Sequence, residues 1–365
     1  MVKVLNVVSG LNHAGTEAVI MNYYRNIDRT KIQFDFLVLN LGTGYYEEEI
    51  KRMGGKIYKI PSFRQNPLKN LSAKKKFFKK HAKEYDAVEV HSPSALRYAY
   101  CKLAKKYGAK KVIFHIHNSS SDQKGILIKH ARRQIKKYCD ETVTCSQRAA
   151  VSVLGEKADR IVYNAIDGSE YCFNANLRNK IRNHYGIADG QKVIGQVGRY
   201  SAVKNHLFSL EAFAEASKRD SSLILLMKGF GELETQIAAT IKDLGLTGKA
   251  IMAGDEFEAS QLYSAFDLLI LPSLYEGLPM VLVEAQANGL KALASDHVSN
   301  ETNISGCVSF LELDAKKWSD TFLKKDNFTR IPVGFDFART NYNIAKEAEI
   351  RERDYLEAAC EDEIH

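Results

Sequence analysis

The stretch Leu271-Pro272-Ser273-Leu274-Tyr275-Glu276-Gly277-Leu278-Pro279-Met280 runs on into Val281-Leu282-Val283-Glu284-Ala285 and sets two carboxylates at Glu276 and Glu284. An apolar run ends at Leu271, a short loop carries Glu276 and Gly277, and Pro279 suits the first turn of a helix. The backbone amides from Gly277 through Leu278 and Pro279 to Met280 then face outward at a helix start, where unpaired N–H groups and the helix dipole favour an anion such as phosphate. Glu284 falls among Val281, Leu282, Val283 and Ala285. A carboxylate in such company needs a partner, because an unpaired buried charge is costly. Ligand hydroxyl groups would satisfy it. The plainer reading makes Glu276 a helix cap and Glu284 part of a solvated stripe. It suits an isolated glutamate better than this strand–loop–Pro–helix context.

Further constellations follow other apolar runs. In Gly198-Arg199-Tyr200-Ser201-Ala202-Val203-Lys204-Asn205, two cations stand at the end of a strand and the start of the next helix. That edge of a parallel sheet is where ligands bind, and an Arg fork with a Lys point charge suits a diphosphate. Taken alone, the pair reads equally well as ordinary surface cations. Ser9-Gly10-Leu11-Asn12-His13-Ala14-Gly15-Thr16-Glu17 follows the first apolar run, and Gly15 allows close backbone approach to phosphate. Neither this loop nor Gly229-Phe230-Gly231, with Glu234 in place of a third glycine, is a G-x-G-x-x-G dinucleotide pattern, so a nicotinamide enzyme is poorly supported. His115-Ile116-His117-Asn118, followed by serines, ends another strand and tilts toward a site, although a lone histidine is more often structural. A third metal ligand is not evident there. No two aspartates stand at i and i+2, so the D-x-D device that holds a divalent metal on a nucleotide-sugar diphosphate is missing. No metal and no cofactor are assigned, and any leaving diphosphate falls to Arg199, Lys204 and helix N-termini.

The elements that must position these groups alternate as short β-branched runs and amphipathic segments, the signature of an α/β fold with parallel strands joined by helices. In the first half, strands are expected at Lys3–Val8, Gln33–Leu39, Lys56–Lys59, Ala87–Val90, Lys111–His115, Glu141–Thr144 and Arg160–Val162. In the second half they fall at Lys192–Val197, Leu223–Lys228, Ala250–Met252, Leu268–Leu271 and Ala292–Ala294. The turn-forming Asn164-Ala165-Ile166-Asp167-Gly168 marks a boundary. The expected organisation is a first domain over 1–166, a second over 167–337 and a charged helical piece over 338–365 that returns to the first.

On these residues the sequence resembles the retaining GT-B glycosyltransferases of family four, especially those of bacterial exopolysaccharide and capsule assembly. The resemblance covers nearly the whole chain. It rests on the Gly-Thr-Glu loop at 15–17, the histidines at 115 and 117 with Asn118, Asn164-Ala165-Ile166-Asp167, Gly198-Arg199 with Lys204-Asn205, and the E-x7-E stretch from Glu276 to Glu284. It implies two Rossmann-like domains facing across a cleft, with a nucleotide sugar held mainly by the second. Glu284 would bind the ribose hydroxyls, and Glu276 would lie by the transferred sugar. The amides of Gly277, Leu278 and Met280 would meet the sugar or diphosphate, and Arg199 and Lys204 would hold the diphosphate. Gly15 would approach from the first domain, and His117 would lie near sugar and acceptor. The implied reaction moves a hexosyl unit from a nucleotide-diphosphate sugar, UDP by family habit, to a glycan or lipid-linked saccharide. Configuration is retained by a front-face route, without metal. Ala14 replaces a common second glycine, Lys291 a frequent proline, and Phe230 a smaller or acidic residue.

The chain has 365 residues, 45% hydrophobic and 26% charged, which fits a soluble two-domain enzyme and excludes a disordered or fibrous chain. No apolar run reaches the roughly 18 residues of a membrane span, and the opening residues read as a strand rather than a signal peptide, so the expected location is cytoplasmic. The six cysteines form no C-x-x-C pair and no zinc-spaced cluster. The formal net charge is +8, yet residues 64–137 alone hold 20 Lys and Arg against four acids, so the remainder is net acidic. As helices, 68–85 would gather Leu68, Leu71, Phe78, Ala82 and Tyr85 on one face and Lys76, Lys79, Lys80 and Lys83 on another, with Lys75 on the apolar side. Likewise 126–138 would set Ile128, Ala131, Ile135 and Tyr138 opposite Lys129, Arg133, Lys136 and Lys137. Such helices suit an anionic membrane surface as well as a merely solvated face. No nucleic-acid-binding module is present, so nucleic acid ranks low. Two competing readings are a nucleotide-sugar epimerase of the same fold and a catalytically silent partner subunit.

Overall fold

The computed structural model describes residues 1–12, 15–117, 125–331 and 335–360. The chain divides into two compact units, Met1–Ile166 with Asn341–His365, and Asp167–Thr340. In the first unit seven parallel strands form one sheet: β1 (Val2–Val8), β2 (Ile32–Val38), β3 (Ile57–Lys59), β4 (Ala87–His91), β5 (Lys111–Ile116), β6 (Glu141–Thr144) and β7 (Arg160–Ile161), in the order β3-β2-β1-β4-β5-β6-β7. The second unit has six: β8 (Lys192–Val197), β9 (Leu223–Lys228), β10 (Ala250–Ala253), β11 (Leu268–Leu271), β12 (Lys291–Ser295) and β13 (Val308–Leu311), ordered β10-β9-β8-β11-β12-β13. Both are α/β Rossmann-like sheets whose strand order reverses once, beside β1/β4 and beside β8/β11.

Alternation along each strand fills two layers. On β8, Val193 and Val197 join Leu269 and Leu271 of β11 in one core, while Ile194 joins Leu268 and Ile270 in the other. Helices therefore cover both faces, as continuous apolar strands require. The twelve strands read from sequence omit β13. This edge strand buries only Val308 fully, so its hydrophobic signal is weak.

The C-terminal helix Ile344–Cys360 belongs to the first unit. Ile166 N–H donates to the Tyr342 carbonyl at 2.9 Å, and Ile344 N–H donates to the Ile166 carbonyl at 3.0 Å. Ile344, Ala348 and Tyr355 then enter the core with Val4, Phe34 and Ile113. Residues 338–340, read above with this terminal piece, stay with the second unit. The turn Phe337–Arg339 is anchored there: a Cβ on Gly168 would stand 2.5 Å from the Phe337 ring.

The basic helix Pro67–His81 is rotated from the expected face. Leu68 and Leu71 are exposed, and Asn70, Lys74, Phe77 and Phe78 turn inward at i, i+4, i+7 and i+8. The cause is Asn70, whose buried amide donates to the Pro61 carbonyl at 2.7 Å and to the Tyr100 hydroxyl at 3.2 Å. Lys74 lies over the Tyr100 ring, while Lys75, Lys76, Lys79 and Lys80 face solvent. In the helix Ile126–Tyr138 the expected stripe of Ile128, Ala131 and Ile135 is buried, and Ile126 and Leu127 before it are exposed.

Candidate functional site

In the second unit the chain leaves β8 at Gly198 and leaves β11 at Pro272, the two strands flanking the reversal of strand order. Loops from such neighbours diverge and leave a crevice at the carboxyl edge of the sheet. Here they are stitched together. Leu274 N–H donates to the Val203 carbonyl at 2.8 Å, and the Asn205 side chain donates to the Pro272 carbonyl at 3.2 Å. Gln196 holds the Lys204 carbonyl at 3.0 Å, and Ser295 holds the Ser273 carbonyl at 2.6 Å. Asn205 adopts the left-handed conformation, φ 57°, that turns the chain into the helix His206–Arg219. The result fixes Lys204 Nζ on Glu276 Oε1 at 2.5 Å, with Ser273 Oγ donating to the same oxygen at 2.7 Å. The next turn is locked by close approach: a Cβ on Gly229 would stand 2.0 Å from the Gly198 carbonyl oxygen.

The helix Met280–Ala287 starts beside this pair, with Pro279 at its N-cap. Proline has no N–H, so Pro279 contributes no donor to an anion. Its carbonyl instead accepts from Leu282 at 3.0 Å. The N–H groups before and in the first turn of the helix are those of Gly277, Leu278, Met280 and Val281. Glu284 has a protein partner: the Tyr263 hydroxyl donates to Glu284 Oε2 at 2.5 Å. Burial raises the Glu284 carboxyl above the ordinary range, with the Tyr263 hydrogen bond and Lys204 working against it. Arg199 is not joined to Lys204. It points to solvent and pairs with the exposed Glu232 at 3.2 Å.

In the first unit the corresponding reversal lies between β1 and β4, and polar residues take core-facing positions there. Asn6 follows Val4, Glu89 and His91 follow Ala87, and His115 and His117 follow Ile113. His91 Nδ1 and His117 Nε2 are 2.7 Å apart, His91 Nε2 meets Asn6 Oδ1 at 2.9 Å, and the His115 and His117 rings stack at 3.9 Å. Glu89 binds His115 Nδ1 at 2.5 Å and Arg351 at 2.6 Å, and also accepts from the Tyr355 hydroxyl. Burial would raise the Glu89 carboxyl, but Arg351, His115 and His91 outweigh it and hold it well below the ordinary range. Burial lowers all three histidines, His91 to about 3, so the imidazoles are neutral. Gly15 opens the helix Gly15–Asn26 with nothing within 4 Å of where a Cβ would be. Nearby, Arg97 donates to Ser9 Oγ at 2.7 Å and to the His91 carbonyl at 3.0 Å. His13, Ala14, Asn118 and the serines after it lie outside the described residues.

The structure thus brings together Lys204, Glu276, Gly277, Leu278, Met280 and Glu284, and leaves Arg199 apart from them. Sequence reasoning missed Ser273, Tyr263, Glu89, His91, Arg97 and Arg351. Glu89 and His91 had a legible signal, a Glu and a His in a five-residue strand buried throughout. Arg351 had none, since its partner lies 262 positions away.

Two parallel-sheet units with clustered polar groups at the strand-order reversal are the architecture of a GT-B type of molecule, and comparison with known proteins agrees. The sequence profile of Glycosyltransferase Family 4 matches residues 13–170, and that of Glycosyl transferases group 1 matches residues 178–305. A Bacillus subtilis protein named as a glycosyltransferase, EpsF, is 31% identical over 339 residues, 88% of this chain and 87% of that one. The amylovoran biosynthesis glycosyltransferase AmsD of Erwinia amylovora is 25% identical over 304 residues, 81% of each chain. Among solved structures, a Rickettsia africae glycosyltransferase superposes with a TM-score of 0.82 at 16% identity over 98% of this chain and 99% of that one. Anabaena HepE in complex with UDP does so at 0.72, with 16% identity over 98% of each. The chain belongs to the family-four glycosyltransferases of GT-B fold.

No helix among the described residues is long and apolar enough to cross a membrane.

Proposed function

We propose that the protein is a retaining glycosyltransferase that moves a hexosyl unit from a nucleoside-diphosphate sugar, UDP being the favoured nucleotide, to a saccharide or lipid-linked saccharide in surface-polysaccharide assembly. The observation that carries this reading is the Lys204–Glu276 pair, held by two stitched loops beside the free amides of the Met280–Ala287 helix, with Glu284 further along that helix. HepE with UDP and AmsD in amylovoran biosynthesis support the donor and the pathway class.

Donor binding trades partners at the pair. The diphosphate takes Lys204 and the amides of Leu278, Met280 and Val281. Glu276, released from the lysine, accepts from a sugar hydroxyl. The ribose hydroxyls donate to Glu284, which keeps Tyr263 on its other side. In the reaction the acceptor oxygen attacks the anomeric carbon from the face that the diphosphate leaves. The acceptor proton passes to a phosphate oxygen, so no protein nucleophile and no metal are needed. Lys204 and the amides take up the developing negative charge. His117 orients the sugar or acceptor from the first unit. Arg199 must leave Glu232 to reach the diphosphate. That exposed pair is worth about 0–1 kcal/mol and is no obstacle.

The exposed Lys75, Lys76, Lys79 and Lys80, with exposed Leu68, Leu71, Ile126 and Leu127, provide charge and apolar anchors for an anionic membrane surface. Salt-sensitive retention on anionic vesicles but not on DNA is expected, and equal retention on both would remove this part of the reading. The donor site is tested by calorimetric titration with UDP, GDP and ADP. Selective binding of UDP that vanishes in Glu284→Ala is expected. A folded chain that binds no nucleotide would overturn the transferase reading in favour of a silent subunit.

A further inference from the structure

We infer that His91, His115 and His117 form a binding site for one divalent d-block cation of the Zn²⁺ kind in the first unit. One ring nitrogen from each residue lies within 4.8 Å of the others. His91 and His115 stand opposite each other on the neighbouring strands β4 and β5, and His117 follows directly after the end of β5.

Three features separate it from a chance cluster. First, two of the three histidines have the outer contacts a metal site uses. A ligating histidine usually gives its other ring N–H to a carboxylate or carbonyl oxygen, which fixes the ring and its tautomer. Here His115 Nδ1 lies on Glu89 at 2.5 Å, which leaves Nε2 free. His91 Nε2 lies on Asn6 Oδ1 at 2.9 Å, which turns Nδ1 toward His117. Second, the nitrogen that His115 would offer is stranded: among the described residues His115 Nε2 has no hydrogen-bond partner, His115 is only 3% exposed, and buried polar groups are rarely left unpaired. Third, there is room. A cavity of about 20 Å³ lies between these polar groups and the apolar Val19, Ile20, Phe34 and Val162, enough for one water-sized body.

The chemistry selects the ion. Neutral imidazoles suit Zn²⁺, Co²⁺, Ni²⁺ or Cu²⁺, and Mg²⁺ prefers oxygen ligands. The only carboxylate in the set, Glu89, is taken by Arg351, Tyr355 and His115, so no hard-cation ligand remains. At 2.7 Å His91 Nδ1 and His117 Nε2 share one proton. A cation takes the place of that proton, which His117 then carries on Nδ1, and spreads the pair to the wider separation that two bonds of roughly 2.0–2.1 Å demand. Three protein ligands leave a fourth position for water. This site does not depend on the donor-site reading, but it competes for His117: a cation held there takes that imidazole from the sugar or acceptor.

The test is titration of the full-length, untagged chain with Co²⁺, followed by visible absorption, with nucleotide binding measured on the same samples to report the second unit separately. One equivalent of Co²⁺ giving the d–d bands of a low-coordinate nitrogen site, displaced by Zn²⁺ and indifferent to Mg²⁺, is expected. The folded His91→Phe variant should lose at least roughly 100-fold in affinity, since even outer contacts of metal ligands are worth 10–100-fold, while His297→Ala on the surface should lose none. A wild-type chain that binds no Co²⁺ overturns the site whatever the variants do. So does binding that survives unchanged in His91→Phe.

Discussion

The two units place polar groups at the same topological position and treat them in opposite ways. At the β1/β4 reversal the groups are sealed: Glu89 and Arg351 are 2% and 4% exposed, and the histidines beside them are held neutral by burial. At the β8/β11 reversal Lys204 and Glu276 are 22% and 12% exposed and still carry a pair that a ligand can trade. Topology supplies a crevice in both, and desolvation decides its use. A deeply buried ion pair cannot be exchanged without stranding a charge, so it acts as a fixed frame. A half-open pair exchanges one anion for another at little cost, so it can bind a diphosphate.

Five substitutions would break that contrast if it is misplaced. Arg351→Ala leaves Glu89 charged in the interior and is expected to cost about 3–5 kcal/mol in the first unit. Hydrogen exchange on β4 and β5 reads this directly, and nucleotide affinity should be unchanged. Protection that does not fall would show that the network is not the frame. Lys204→Ala should reduce transfer roughly 10²- to 10³-fold, the scale of losing one preorganised charge-stabilising donor, and Glu284→Ala should reduce it through lost ribose binding, each with unfolding unaltered. Near-normal turnover in either purified variant would sink the site. His117→Ala should lower kcat roughly 10²-fold with UDP affinity intact; a loss of UDP affinity instead would move His117 to the donor. Tyr263→Phe removes one hydrogen bond to Glu284, about 1 kcal/mol and roughly fivefold in UDP affinity.

Tyr263→Phe also makes a pH prediction. Glu284 accepts from hydroxyls best when ionised, and burial has already raised its pKa. UDP binding should therefore weaken as pH falls, beginning above the ordinary carboxyl range. Tyr263 stabilises the ionised form, so its removal should move the midpoint further up. An unshifted profile in the variant would mean that another group controls binding.

Much of the architecture was legible because parallel strands buried on both faces write continuous apolar runs, as at Leu268–Leu271 and Leu223–Lys228. The edge strand β13 was not, since half of its surface faces outward. Within the site, local spacing gave Glu276, Glu284 and Lys204, each placed by a strand end and a helix start. Spacing could not give the rotation of the Pro67–His81 helix, which one buried amide on Asn70 decides. Nor could it give the framework around the histidines. His91 meets His115 through strand register and Arg351 meets Glu89 across most of the chain, and neither separation leaves a pattern in sequence.

The smallest expected effect is none, and it separates the two reversals chemically. Chelation should not lower the transfer rate, because the proposed diphosphate site consists of Lys204 and helix amides, and the chain has no paired aspartates for a bridging metal. Any cation on the histidines belongs to the first unit, and a His117 engaged by metal is unavailable to sugar or acceptor. Activity measured before and after a strong chelator, with Mg²⁺, Mn²⁺ and Zn²⁺ added back singly, resolves the cases. Loss restored by Mg²⁺ or Mn²⁺ would place a metal on the diphosphate and remove Lys204 from sole charge of it. Loss restored only by Zn²⁺ would make the histidine cluster part of turnover and end the division between a fixed frame and an exchangeable site. An unchanged rate leaves that division standing, with imidazole chemistry on one sheet and phosphate chemistry on the other.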